Sequence, residues 1–180
     1  MTDATSTPSD EAAQNARLQK AVIVGMQPDQ AERVLLEAVR FAKLFGSPLV
    51  IVHVDVTRFV TYEDPDGYVH SAPIDLNLDA GAAEFEQVQA EAAAILRDAE
   101  IAWTARQLVG DPALAMKQLA DRLDAELIVV GTRKRGLGES IREFFTGSVA
   151  ARLAHRQHRP VLVVPLEEPV PDAQEDIWTD

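Results

Sequence analysis

The stretch from Leu127 to Pro165 limits what this chain can fold into more than any other part of the sequence. It begins with an apolar run that ends at Gly131, as a strand buried on both faces of a parallel sheet does. A segment with glycines and consecutive cations follows, then Gly147-Ser148 before an apolar helical pattern, and then the β-branched run Val161–Val164. Glycines let backbone N–H groups approach an anion, and a helix start presents unpaired N–H groups. The stretch therefore predicts a phosphate-binding unit.

Apolar runs and helical patterns alternate through the preceding part of the chain. Strands are predicted at 21–26, 48–55 and 101–108, the last half polar and therefore an edge strand. Helices are predicted from Asp29, over 82–99, and from Asp111-Pro112. The segment from 57 to about 79 is predicted to be a long loop. This alternation predicts an open five-stranded parallel α/β sheet with right-handed crossovers and helices on both faces.

The two ends of the chain differ from its centre in composition. Residues 1–18 are rich in Thr, Ser, Asp and Ala without periodicity, so we predict a disordered tail there. Residues 19–166 form the predicted domain, and 167–180 are an acidic tail with six acids and no base. The chain has no cysteine, no signal-peptide pattern and no run of membrane-spanning length. We therefore predict a cytoplasmic protein that does not contact the membrane.

The charge is unevenly distributed along this acidic protein. The net charge is −12, yet residues 131–160 contain seven Lys and Arg against two acids. A basic island on an acidic protein favours a local anion site over a nucleic-acid surface. A solvated helix face with scattered arginines is the alternative interpretation.

The motif GTRKRG…FFTGSVAARLAHRQHRPVLVVP resembles the C-terminal signature of the universal stress protein family. The segments AVIVGM, SPLVIVHV and VGDPALAMKQLADRLDAELIVVGT fit the same family in the same order. The resemblance implies a Rossmann-like fold of the adenine-nucleotide-binding type with strand order 3-2-1-4-5. In such a sheet a ligand is expected over the carboxyl ends of the strands, at the switch point between strands one and four.

The resemblance also implies a set of nucleotide-binding positions. Gln27 stands where the family usually has Asp toward the nucleoside, and Lys134 stands where it has a glycine. The loop is longer than in the family, and either Gly136 or Gly138 can supply the missing backbone approach, with Arg133 as a charge-assisted partner. The predicted nucleotide-binding residues are Gly25, Gln27, Val54, Val130, Gly131, Arg133, Gly136, Gly138, Gly147, Ser148 and Val149.

These features predict a cytoplasmic universal stress protein, a stress-response binding module that takes ATP or another adenine nucleotide, with Mg²⁺ if ATP binds. An exposed apolar edge invites strand pairing, so a homodimer is predicted through Val161, Leu162, Val163 and Val164. One alternative is a scaffold dimer that works without nucleotide. Another is a slow ATPase or phosphotransferase, but no placed base accompanies Ser148, so we predict no catalytic residue and no protein-bound metal.

Overall fold

The computed structural model describes residues 8–63, 69–73, 80–132 and 149–166. In chain order its elements are α1 (Pro8–Arg17), β1 (Val22–Gly25), α2 (Glu32–Phe45), β2 (Leu49–Asp55), β3 (Arg58–Glu63), β4 (Val69–Pro73), α3 (Ala80–Ile95), β5 (Trp103–Val109), α4 (Pro112–Leu123), β6 (Leu127–Gly131), α5 (Val149–Arg156) and β7 (Val161–Val164).

Five strands form one parallel sheet in the order β5-β2-β1-β6-β7. Counting only the strands of this sheet, the order is 3-2-1-4-5, which confirms the predicted fold. In register, Val24 of β1 lies beside Ile51 of β2 and Val129 of β6. The central strands read as continuous apolar runs because both faces of the sheet are covered by helices.

The two faces of the sheet carry separate apolar cores. Val22 and Val24 face α2 and α3, and Ile23 faces α4 and α5. Among the residues that fill these cores, Leu35 on α2 and Leu153 on α5 are fully buried. Helices α2 and α3 thus cover one face of the sheet, and α4 and α5 cover the other. The topological switch point of the sheet therefore lies between the neighbouring strands β1 and β6.

The segment predicted as a long loop contains an antiparallel hairpin, so that prediction is wrong. Strands β3 and β4 pair from Arg58↔Pro73 to Glu63↔Val69, with a register shift between Val60 and Tyr62. The run Phe59–Tyr62 is aromatic and β-branched, as strands favour. The prolines and the glycine of the same segment are typical of loops, so they obscure the strand pattern of that run in the sequence.

The region before β1 also differs from the prediction, because residues 8–17 form helix α1. Leu18, directly after α1, is buried in the core beside α4. The Gln19 side chain donates hydrogen bonds to the carbonyl of Asn15 at 3.2 Å and to that of Arg122 at 3.1 Å. These contacts join the last turn of α1 to the end of α4, and such tertiary contacts are invisible in a composition.

The start of α2 lies later than the sequence suggested. Asp29 has φ 55° and does not cap the helix, which begins at Glu32 with Ala31 at the cap position and no side-chain cap. Instead, the Asp29 carboxylate accepts a hydrogen bond from Gln87 of α3 at 3.2 Å. The helix ends as predicted, at Gly46 in the left-handed conformation (φ 65°).

Candidate functional site

The predicted site residues that the structure describes lie together at the carboxyl edge of the sheet. Gly25 ends β1 and Gly131 ends β6, while Val54 is the penultimate residue of β2. Gln27 follows β1 by two residues and is exposed, and Val130 is buried one residue before the end of β6. Neighbouring strands thus bring these five positions to the switch point, where ligands bind in open α/β sheets.

The remaining predicted positions are those that the sequence assigns to the phosphate end of the site. Val149 is the first residue of α5 and is half-buried against the core on the face of the sheet that α4 and α5 cover. Arg133, Gly136, Gly138, Gly147 and Ser148 lie outside the described residues. Their assignment to phosphate therefore stays a prediction from the sequence.

Both glycines at the switch point allow a protein side chain to pack closely. A Cβ on Gly25 would lie 3.2 Å from Sδ of Met116, a flexible side chain on α4. A Cβ on Gly131 would lie 2.9 Å from Nε2 of Gln30 and 2.9 Å from Cδ2 of Leu166. Close packing within the protein is thus one reason for glycine at these two positions.

Gln30 is a residue that the sequence analysis did not identify. Its Oε1 accepts a hydrogen bond from the backbone N–H of Gln27 at 3.0 Å, and its Nε2 donates to the carbonyl of Gly25 at 3.4 Å. A glutamine just before a helix carries no sequence signal for this arrangement. Only the turn at Gln27, where Gln30 N–H donates to the Gln27 carbonyl at 3.3 Å, directs the side chain back toward β1.

The end of β2 carries two buried polar side chains, His53 and Asp55. His53 Nδ1 lies 3.3 Å from the carbonyl of Met26, and its Nε2 lies 3.3 Å from a carboxylate oxygen of Glu84. Asp55 accepts hydrogen bonds from the backbone N–H and the hydroxyl of Thr57, at 2.8 and 2.6 Å. These contacts fix the end of β2 to the β1–α2 connection and to the first turns of α3.

An ion pair joins the starts of α4 and α5 at the same edge of the sheet. Asp111 caps α4 as predicted, since its carboxylate accepts from the backbone N–H of Leu114 at 2.9 Å. The same carboxylate pairs with Arg152 of α5 at 2.5 Å. Partial burial opposes ionisation of Asp111, but the bonds from Leu114 and Arg152 outweigh it and hold the pKa of this carboxyl below its ordinary value of 3.8.

A concavity lies at the opposite, amino-terminal edge of the sheet. It is an open groove of about 630 Å³ whose lining includes Lys20, Asp121, Asp124 and Arg159. Several of its charges pair with one another: Lys20 lies 2.6 Å from Asp124, and Arg159 lies 2.6 Å from Asp121. The hydrogen bond with Asp124 raises the pKa of Lys20. The groove is therefore lined by an ion-pair network that joins separate chain segments. For this reason we do not assign the ligand site to it.

Among the residues that the structure describes, no group of three or more His, Cys, Asp or Glu side chains is arranged to hold a metal ion. Within the same ranges, no helix is long and apolar enough to cross a membrane.

A doubly wound parallel sheet with polar and glycine positions gathered at its switch point defines the class of Rossmann-like binding proteins. Within that class the chain belongs to the universal stress protein family, because the model of that family matches residues 19–165.

Individual relatives agree with this membership. The stress response protein NhaX of Bacillus subtilis (strain 168) is 27% identical over 154 residues, which covers 76% of this chain and 91% of the relative. A universal stress protein solved in complex with cAMP is 25% identical, with a TM-score of 0.59 over 83% of this chain and 99% of that one. The universal stress protein from Archaeoglobus fulgidus in complex with dAMP is 25% identical, with a TM-score of 0.55 over 82% of this chain and 98% of that one.

Proposed function

We propose that this chain is a dimeric binding module of the stress response that takes an adenine nucleotide at the switch point between β1 and β6. The observation that carries the proposal is the convergence of Gly25, Gln27, Val54 and Gly131 at the carboxyl ends of three adjacent strands. In open parallel α/β sheets, ligands bind at such a place, outside the carboxyl ends of the strands.

The relatives support a nucleotide as the ligand. Two of the similar structures were solved with cAMP and with dAMP, both of which contain adenine and a phosphate. In this chain we assign the positive charge for the phosphate to Arg133, Lys134 and Arg135 of the basic island. We assign the nucleoside to Gln27 and Val54 and the phosphates to Gly147, Ser148 and Arg133. If the ligand is ATP, Mg²⁺ accompanies it.

The dimer is proposed to form through β7. This strand pairs with β6 alone among the described strands, so its other side presents backbone groups to a partner strand. Val163 is 43% exposed on this edge, whereas Val164 is already buried within the subunit. Antiparallel pairing of two β7 edges about a twofold axis would satisfy both rows of backbone groups.

We propose a binding function without dedicated catalysis, located in the cytoplasm. Phosphoryl transfer needs a positioned base or nucleophile beside the phosphates. The carboxylate of Asp111, which lies at the carboxyl edge, is engaged by Leu114 and Arg152, and that of Asp55 is engaged by Thr57. A scaffold dimer that works without nucleotide is the alternative function that the same fold would serve.

Mass spectrometry of the protein as purified tests the proposed ligand. The folded protein is washed and then denatured, and the supernatant that remains after denaturation is analysed for small molecules. A denatured sample of an unrelated protein is the control. We expect an adenine nucleotide in stoichiometric or near-stoichiometric amount, or its uptake when ATP, ADP, AMP and cAMP are added before the wash. Release of no nucleotide after either treatment would favour the scaffold.

A further inference from the structure

The side chain of Gln30 covers the end of β1. Its carboxamide presents an acceptor and a donor side by side, and both are engaged by the backbone: Oε1 with the N–H of Gln27 at 3.0 Å, and Nε2 with the carbonyl of Gly25 at 3.4 Å. The residue is only half-buried, so this contact lies near the protein surface at the carboxyl edge of the sheet and not in the core.

The same carboxamide also covers the end of β6. Its Nε2 lies 2.9 Å from the position that a Cβ on Gly131 would take, and Leu166 lies equally close. Leu166 is held in place by two hydrogen bonds, from its own N–H to the hydroxyl of Thr132 at 2.9 Å and from Arg33 to its carbonyl at 2.6 Å. The backbone of Leu166 is therefore fixed in position. The side chain of Gln30 is held by only two neutral hydrogen bonds, so it can rotate away from the ends of β1 and β6.

A ligand that uses the polar groups at the end of β1 competes directly with Gln30. The N–H of Gln27 is a single donor, so it cannot serve the side chain and a ligand oxygen at the same time. A single ribose hydroxyl is both a donor and an acceptor, so it can take the place of the two groups that the carboxamide presents. A nucleoside placed at Gln27 would bring its ribose to this point.

We propose that Gln30 is an internal occupant of the ligand crevice, and that the ribose of a bound nucleotide displaces it. This inference rests on the proposed function and adds a determinant of affinity to it. Binding then includes the loss of the two hydrogen bonds that Gln30 makes. Removal of the side chain should strengthen binding of AMP about two- to tenfold, the equivalent of one net hydrogen bond of about 0.5–1.5 kcal/mol.

The test compares wild type, Gln30→Ala and Gln118→Ala by calorimetry with AMP. Gln118 is an exposed glutamine on α4 and serves as the matched control. Gln30→Ser is a second small variant for use if the alanine variant is poorly folded. In ¹⁵N-labelled wild type, the side-chain amide signals of Gln30, identified by their absence from the variant, report displacement independently of affinity.

We expect tighter AMP binding by the Gln30 variants alone, and movement of the Gln30 amide signals when AMP is added to wild type. Binding by Gln30→Ala but not by wild type would support the inference most strongly. Equal or weaker binding by both Gln30 variants, with AMP still bound by wild type, would overturn it and leave the proposed function intact. Failure of every protein to bind any adenine nucleotide would contradict the proposed function and, with it, this role of Gln30.

Discussion

Asp55 and Gly81 are in direct contact across the end of β2 and the start of α3. A Cβ on Gly81 would lie 2.1 Å from Oδ2 of Asp55, closer than any real Cβ approaches an oxygen. The carboxylate cannot easily retreat, since it is buried and its other oxygen accepts two hydrogen bonds from Thr57. This contact fixes how α3 sits on the carboxyl edge of the sheet.

We predict that Gly81→Ala lowers the free energy of unfolding by about 1–2 kcal/mol, because the steric cost of overpacking exceeds the gain in helix propensity. In an Asp55→Ala background the same change should be neutral or stabilising, since alanine favours a helix and the clash is gone. Urea unfolding of the four proteins of this double-mutant cycle measures the coupling. Equal effects of Gly81→Ala in both backgrounds would contradict the contact.

Asp111 should stabilise the start of α4. Asp111→Ala removes the cap on Leu114 and leaves Arg152 without its carboxylate. We expect a loss of about 1 kcal/mol, seen as a decrease in Tm of roughly 2–4 °C. Asp98→Ala, on an exposed aspartate beyond α3, is the matched control and should leave Tm unchanged. A decrease in Tm of similar size in Asp98→Ala would show that loss of any aspartate lowers Tm, and would contradict a specific role of Asp111.

The contribution of Asp111 should also depend on pH with a definite sign. Its pKa is lowered on folding, so the stabilisation is complete above the ordinary value of 3.8 and is lost as the pH falls through the lower, folded value. The difference in stability between wild type and Asp111→Ala should therefore narrow below pH 3.8. A difference that widened on acidification would contradict this assignment.

If two subunits pair through the exposed edge of β7, one charged side chain on that edge should prevent the dimer from forming. Val163→Lys places an ammonium on a residue that is 43% exposed in the subunit, so the fold should persist while strand pairing is lost. Analytical ultracentrifugation should give a species of twice the monomer mass for wild type and of one monomer mass for the variant. Val56→Lys, at another exposed valine, is the control and should remain dimeric. A monomeric wild type at micromolar concentration would rule out the proposed interface.

Gln27 should weaken affinity for the nucleoside relative to a carboxylate at the same place. Gln27→Asp supplies a charged acceptor for a ribose hydroxyl, so we expect ATP to bind about 1 kcal/mol more tightly. Gln27 is exposed, so the substitution should not disturb packing. Fluorescence titration with a labelled adenine nucleotide measures the change, and weaker binding by the aspartate variant would count against placing the ribose at Gln27.

The sheet could be predicted from the sequence because its strands are continuous apolar runs between turn residues. Leu127–Gly131 and Leu49–Asp55 show this directly, and the half-polar run at Trp103–Val109 is the edge strand that its pattern predicts. The strand order could be predicted only from the family resemblance, because apolar runs show where strands lie in the sequence but not which strands are neighbours in the sheet. The cap at Asp111 was predictable because its signal is local.

Features that depend on tertiary contacts could not be predicted in this way. Asp29 carries a capping signal, yet its carboxylate turns to Gln87 of α3, far away in sequence. The hairpin of β3 and β4 lies in a segment whose turn residues outweighed its strand pattern. At the candidate site, the glycines were predicted but the side chain of Gln30 against them was not, because nothing local shows that it folds back over β1.

Calorimetric titration of wild type and Gly147→Val with ATP is the most direct test of a nucleotide site at the switch point. Gly147 is placed at the phosphates by the sequence pattern, and a valine there would block backbone approach. We expect saturable binding by wild type and none by the variant, with the two proteins melting at the same temperature. Binding of ATP with equal affinity by both proteins, or by neither, would rule out a nucleotide site that includes Gly147.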